Sequence, residues 1–113
     1  MDECLFCKIV AGDIKADEVS RDDHVVAFRD IDPKAPTHVL VIPTEHVTNA
    51  SELDGTHGPL LARLFEAANA VAVSEGLTGG YRLVMNVGDD AGNSVPHLHL
   101  HVLGGRQMAW PPG

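Results

Sequence analysis

The sequence predicts an α+β fold with a mainly antiparallel sheet, and three observations carry that prediction. Short β-branched or aliphatic runs bounded by Pro, Gly and Asp recur along the 113 residues, and one long segment follows the helical period. Residues 97–103, His97-Leu98-His99-Leu100-His101-Val102-Leu103, alternate with the period of a strand. The order helix, strands, helix, two strands makes a mainly antiparallel sheet covered by helices the natural arrangement.

Taken in order, Leu5, Phe6, Ile9 and Val10 have helical spacing within residues 2–11, and Gly12 ends that short helix. His24 to Arg29 and His38 to Ile42 read as two antiparallel strands, joined by the proline-stiffened Asp32-Pro33-Lys34-Ala35-Pro36. From Pro59 to Glu75, Leu61, Leu64, Phe65, Ala68, Val71 and Ala72 follow the helical period, with Pro59 in the first turn and Gly76 at the stop. Gly79-Gly80 turns the chain into a strand from Tyr81 to Val87, and a Gly- and Asp-rich loop, Gly88 to Ser94, leads to the histidine strand, which ends at Gly104-Gly105. Prolines keep the tail 106–113 extended, and its single tryptophan, Trp110, needs a surface to lie on.

A chain of 113 residues supports one domain. Eight basic against sixteen acidic residues give a formal charge of -8, which argues against a nucleic-acid backbone or an anionic membrane as partner. The sequence has no apolar run of transmembrane length, and Met1-Asp2-Glu3-Cys4 lacks the basic start and apolar middle of a signal peptide; the expected location is cytoplasmic. Two cysteines are too few for a disulfide framework. In a reducing compartment Cys4-x-x-Cys7 reads as a metal half-site, as free thiols or, more remotely, as a redox pair.

On a strand, His97, His99 and His101 project from one face and Leu98, Leu100 and Val102 from the other, toward a core. Such a face suits metal ligation, metal-free catalysis or simple solvation. The preceding Gly92-Asn93-Ser94-Val95-Pro96 brings no carboxylate of the kind a hydrolytic metal site recruits, and looks instead like a turn that offers backbone N–H groups and a hydroxyl to a phosphate. His38 and Asn86 fall on plausible adjoining strands. Together these residues suit attack by a neutral imidazole on phosphorus, giving a phospho-histidine that water later opens. The middle histidine, His99, is the natural nucleophile, with an imidazole on either side to serve the leaving group.

The run HLHLHVL after Ser94-Val95-Pro96 resembles the signature of the histidine triad (HIT) superfamily. Leu5-Phe6-Cys7-Lys8-Ile9, Ala27-Phe28-Arg29-Asp30-Ile31, Ala35 to Pro43, Gly80-Tyr81-Arg82, Gly104-Gly105-Arg106-Gln107-Met108 and the terminal Trp110-Pro111-Pro112-Gly113 look like its Hint branch. The resemblance implies a single HIT domain over 1–113, with a five-stranded, mainly antiparallel sheet, one long and one short helix, and a homodimer that joins two sheets. The tail 105–113 would then lie near the partner. It also implies a purine nucleoside phosphoramidase that hydrolyses AMP or GMP amidates through a nucleotidyl-histidine and requires no cofactor for catalysis. A metal-dependent hydrolase, a dinucleoside polyphosphate hydrolase of the Fhit type and a non-catalytic nucleotide-binding regulatory module are the alternatives.

Carried over by position, His99 would be the nucleophile, His101 and Ser94 would serve the leaving group, and His38 would support the triad. Asn86 and the backbone of Ser94 and Val95 would hold the α-phosphate, and Asp30 would accept both ribose hydroxyls. Phe6, Ile9, Ile14, Phe28, Ile31 and Leu40 would form the base slot, with Trp110 reaching the partner's site. Some relatives of this kind place a structural zinc on four residues that here are Cys4, Cys7, His46 and His97, a closed tetrahedral set.

Overall fold

Five strands form one antiparallel sheet in the computed structural model, which describes residues 4–113. They are β1 (Glu18–Arg21), β2 (Val25–Arg29), β3 (Thr37–Pro43), β4 (Tyr81–Val84) and β5 (Leu100–Gly104), in the spatial order β1-β2-β3-β5-β4. Phe28 lies opposite Leu40, and Leu40 in turn lies opposite His101, so β2, β3 and β5 carry one continuous row across the sheet.

Two helices cover the two faces. Helix α1 (Leu5–Ala11) starts at Cys4, whose sulfur accepts the Cys7 backbone N–H, and stops at Gly12, where a φ of 84° lets the chain turn back on the last carbonyls. Helix α2 (Gly58–Ser74) buries Leu64, Ala68, Val71 and Ala72, a stripe at helical spacing. Leu64, Ala68 and Val71 pack on Val39, Val41, Leu98, Leu100 and Val102. On the opposite face Phe6 and Ile9 of α1 pack with Val26, Phe28, Leu40 and Ile42. Every residue of β3 is therefore buried, which is why 38–42 reads as a continuous aliphatic run rather than an alternation.

Three expectations shift. The helix expected over 2–11 is described from Leu5, and residues 2 and 3 lie outside the described part. The strand expected to reach Val87 ends at Val84, so Asn86 stands beyond the ladder. Pairing of the histidine run begins at Leu100, leaving His97 and His99 ahead of β5. Pro43 ends β3 at that point: it has no N–H to continue the ladder, and the backbone N–H of Leu98 turns instead to the Val47 carbonyl at 2.6 Å. The fifth strand, β1, is an edge with only Val19 partly buried, and so it carries almost no apolar signal.

Candidate functional site

The α1 face of the sheet opens into a cavity of about 430 Å³, within the range of small-ligand pockets. Its wall takes Phe6 and Ile9 from α1, Ile14 from the following turn, Phe28 and Leu40 from the sheet, and Asp30 and Ile31 from the end of β2. Ser94, Val95, His99 and His101 close the other end. Two chemistries thus meet in one cleft: an apolar slot and a polar end made of imidazoles and a hydroxyl.

The apolar part is built by packing. Phe6 stands edge-on to Phe28, with ring centroids 5.4 Å apart, and edge-on to His99 at 5.2 Å. Ile31 is fully exposed at the mouth, whereas Phe6, Ile9, Phe28 and Leu40 are buried. Asn86 is not among the residues that wall this cavity, and Trp110, 82% exposed, lies beside the Arg82 guanidinium at 6.0 Å, outside the wall. Leu5, Lys15, Ala16 and Arg29 also line the cavity, although the sequence pattern assigned none of them to a site. The Arg29 guanidinium makes a two-pronged pair with Glu75, 2.6 and 3.0 Å, that ties the end of β2 to the end of α2.

The three histidines of the strand are set apart by what each ring nitrogen meets. His99 Nδ1 lies 2.7 Å from the His97 carbonyl, an atom that can only accept, so Nδ1 carries the proton and Nε2 keeps its lone pair. His97 is completely buried, and its Nε2 donates to the Pro43 carbonyl at 2.9 Å, leaving Nδ1 unprotonated. That Nδ1 lies 3.3 Å from Cys4 Sγ, 3.5 Å from Cys7 Sγ and 3.2 Å from His46 Nδ1, and Cys7 Sγ lies 3.3 Å from His46 Nδ1. His101 Nδ1 lies 2.9 Å from His38 Nε2. The Lys34 backbone N–H donates to His38 Nδ1 at 3.0 Å, so the neutral His38 ring carries its proton on Nε2 and gives it to His101. His101 Nε2 is left as the N–H of that ring, buried and without a partner among the described residues.

The cluster of Cys4, Cys7, His46 and His97 meets the geometry of a tetrahedral cation. Zinc bonds of about 2.0 Å to nitrogen and 2.3 Å to sulfur set tetrahedral edges of about 3.3 Å between nitrogens and about 3.5 Å between nitrogen and sulfur. The spacings above match, and the Pro43 carbonyl on His97 Nε2–H fixes the ring with its free nitrogen inward. Burial, with the neighbouring Cys4, pushes the Cys7 thiol up to about 11. Asp30, His38 and His101 also bring three donor atoms within 4.8 Å of one another. Their hydrogen bonding argues against a metal there, because the Lys34 N–H occupies His38 Nδ1 and keeps the proton on the nitrogen a cation would need.

Burial governs the charge of the polar end. It lowers His101 to about 4, with His99 and His38 adding repulsion, and it lowers His38 and His97 below the ordinary imidazole range. At neutral pH His38, His97 and His101 therefore rest as neutral rings.

A sheet of this order, with an apolar slot ending in tautomer-locked imidazoles at and just before the start of β5, defines an α+β protein with a cleft equipped for imidazole chemistry. The HIT domain family model matches residues 11–108, and the chain belongs to that family. A HIT family hydrolase from Legionella pneumophila superposes with a TM-score of 0.96 at 50% identity, covering 98% of this chain and all of the other. Adenylylsulfatase HINT1 of Arabidopsis thaliana is 45% identical over 96% of this chain and 76% of its own length. A 14 kDa zinc-binding protein of Zea mays is 46% identical over 96% of this chain and 87% of its own length.

Proposed function

We propose that the chain is a nucleotide hydrolase that cleaves the P–N bond of purine nucleoside 5'-phosphoramidates through a nucleotidyl-histidine on His99. The observation that carries this reading is the pair of locked tautomers: a lone pair on His99 Nε2 beside an unpartnered N–H on His101 Nε2 at the polar end of the slot. A nucleophile and a proton donor are thereby preset on adjacent rings, whose centroids are 5.0 Å apart.

In the scheme, the purine enters the slot of Phe6, Ile9, Ile14, Phe28, Ile31 and Leu40, the ribose hydroxyls donate to Asp30, and Ser94 and Val95 hold the phosphate. The anionic substrate favours uptake of a proton by the His38–His101 pair. His99 Nε2 forms a bond to phosphorus as the P–N bond breaks, and the departing nitrogen keeps the bonding pair and takes the proton from His101 Nε2. Water then attacks phosphorus and passes its proton to His101. The P–Nε2 pair returns to His99, and the His38–His101 pair releases its extra proton to solvent as the nucleoside monophosphate leaves, so the rings finish as they began.

The same reading covers the assembly. The exposed edge of β4 and the exposed Phe65 and Val73 of α2 support a homodimer, across which Trp110 would reach the partner's cleft. The cluster of Cys4, Cys7, His46 and His97 would hold zinc, which with four protein donors ties α1 to the sheet and offers no open position to a substrate. No helix among the described residues is long and apolar enough to cross a membrane, and a cytoplasmic location completes the proposal. A mixed anhydride of AMP with sulfate is a second candidate substrate, supported by the name of the Arabidopsis relative, and would use the same nucleotidyl-His99.

Turnover of adenosine 5'-phosphoramidate and adenylyl sulfate by wild type and His99→Ala, each with and without chelator, tests this. Loss of at least about 10³-fold in kcat for the variant, with AMP binding retained and no acute effect of chelator on the wild type, is expected. AMP binding without any turnover by the wild type would leave a nucleotide-binding module instead.

A further inference from the structure

Asp30 stands between two ends of the cleft. Its Oδ1 accepts the backbone N–H of Asp32 at 2.8 Å, a turn that pins the carboxylate, and its Oδ2 then lies 3.4 Å from His38 Nε2. The same His38 nitrogen donates to His101 Nδ1 at 2.9 Å. Main-chain bonding fixes the arrangement further, since the Asp30 N–H donates to the His38 carbonyl at 3.0 Å. A single carboxylate thus faces both the slot, whose wall it shares, and the histidine pair behind it.

We propose that Asp30 is a positioning residue for the leaving-group end of the cleft, acting on His101 through His38, in addition to receiving the ribose. The inference rests on the hydrolase reading above and goes beyond it. To give a proton to the departing nitrogen and return to neutrality, the His38–His101 pair must first hold one proton more than its two neutral rings. The surroundings oppose that proton: the rings are buried, the Lys34 backbone N–H and ammonium face His38, and His99 faces His101. Asp30 is a negative charge facing both rings, and Asp32 adds its charge on His38. Asp30 therefore sustains the protonated pair. Ribose binding, by engaging the same carboxylate, is linked to the readiness of His101 to release its proton.

The experiment crosses Asp30→Asn with the sugar of the substrate. Asparagine keeps an acceptor for the Asp32 N–H, and Asp30→Ser, which can also accept it, serves as the second variant should the first fail to fold. With adenosine 5'-phosphoramidate the variant should show a raised KM and a lowered kcat. With the 2',3'-dideoxy amidate, which has no hydroxyls to bind, KM should be unchanged and kcat should still fall, by about three- to tenfold. An unchanged kcat on the dideoxy substrate would reduce Asp30 to a ribose contact and overturn the proposal. The imidazole resonances of the unliganded proteins give a reading independent of turnover: His38 and His101 should titrate at lower pH in the variant. Identical titrations would equally overturn the proposal. A wild type that turns over neither amidate, with the titrations still shifted in the variant, would discard the phosphoramidase reading while keeping the coupling.

Discussion

Lowering the pH from 7 toward 5 addresses the neutral histidines directly. Burial, then the neighbouring His99 and His38 rings, bring His101 from 6.5 down to about 4, whereas in the unfolded chain the ring titrates at its ordinary value. Between those limits the unfolded state binds a proton that the native state refuses, so stability rises with pH across the window. The contribution is fully present above pH 6.5 and is lost as the pH falls through about 4. A gap of about 2.5 units corresponds to about 3 kcal/mol in all, of which about 1.5 kcal/mol is lost between pH 6.5 and pH 5, above the range in which most carboxylates titrate. Urea unfolding of wild type and His101→Gln at half-unit steps would measure it. The variant should lose less stability than the wild type over this window, by about 1.5 kcal/mol, although His38 and His97, also depressed, keep some slope in both. Parallel curves would refute the argument that His101 rests as a neutral ring.

Two further outcomes follow from geometry already given. Gly105→Ala should destabilise by about 1–3 kcal/mol in thermal unfolding, because φ is 91° and an added Cβ would sit 2.9 Å from Pro36 Cβ in a rigid ring. Protein purified without added metal should carry about one zinc per chain, and Cys7→Ser should lower that content together with the melting temperature; a metal-free wild type would sink the four-donor reading.

Much of this architecture is legible along the chain because burial imposes a period. Leu64, Ala68, Val71 and Ala72 announce α2, and the unbroken aliphatic run of β3 announces a strand covered on both faces. Edges escape such reading. β1 buries only part of Val19, so its four residues carry no stripe, and β4 stops at Val84 because the strand beside it has not yet joined the ladder. Pro43 explains the latter: a missing N–H on β3 shortens β5 from across the sheet, a constraint from a residue more than fifty positions away from His99. Likewise, Leu5, Phe6, Phe28, Asp30 and His101 converge on one cleft only through the strand order, which no local pattern states. His57 escapes it too, since its Nδ1 accepts the Asp54 N–H and helps start the turn that leads into α2.

The chemical inequality of the three histidines lies a level deeper still, in atoms the alternating pattern treats as identical. A ring nitrogen facing a carbonyl must carry a proton, and one facing a backbone N–H must not. Pro43 and His97 offer carbonyls to His97 Nε2 and His99 Nδ1, and Lys34 offers an N–H to His38 Nδ1. From these three backbone contacts the remaining tautomers follow: His97 turns a lone pair toward the two sulfurs, His99 keeps one on Nε2, and His101 keeps its proton on a buried Nε2. Two of the three backbone groups belong to the end of β3 and the turn before it, so that segment decides which nitrogen of each ring is free. A substitution that moved Pro43 or Lys34 would leave the HLHLH run intact and still exchange donor for acceptor at its working end.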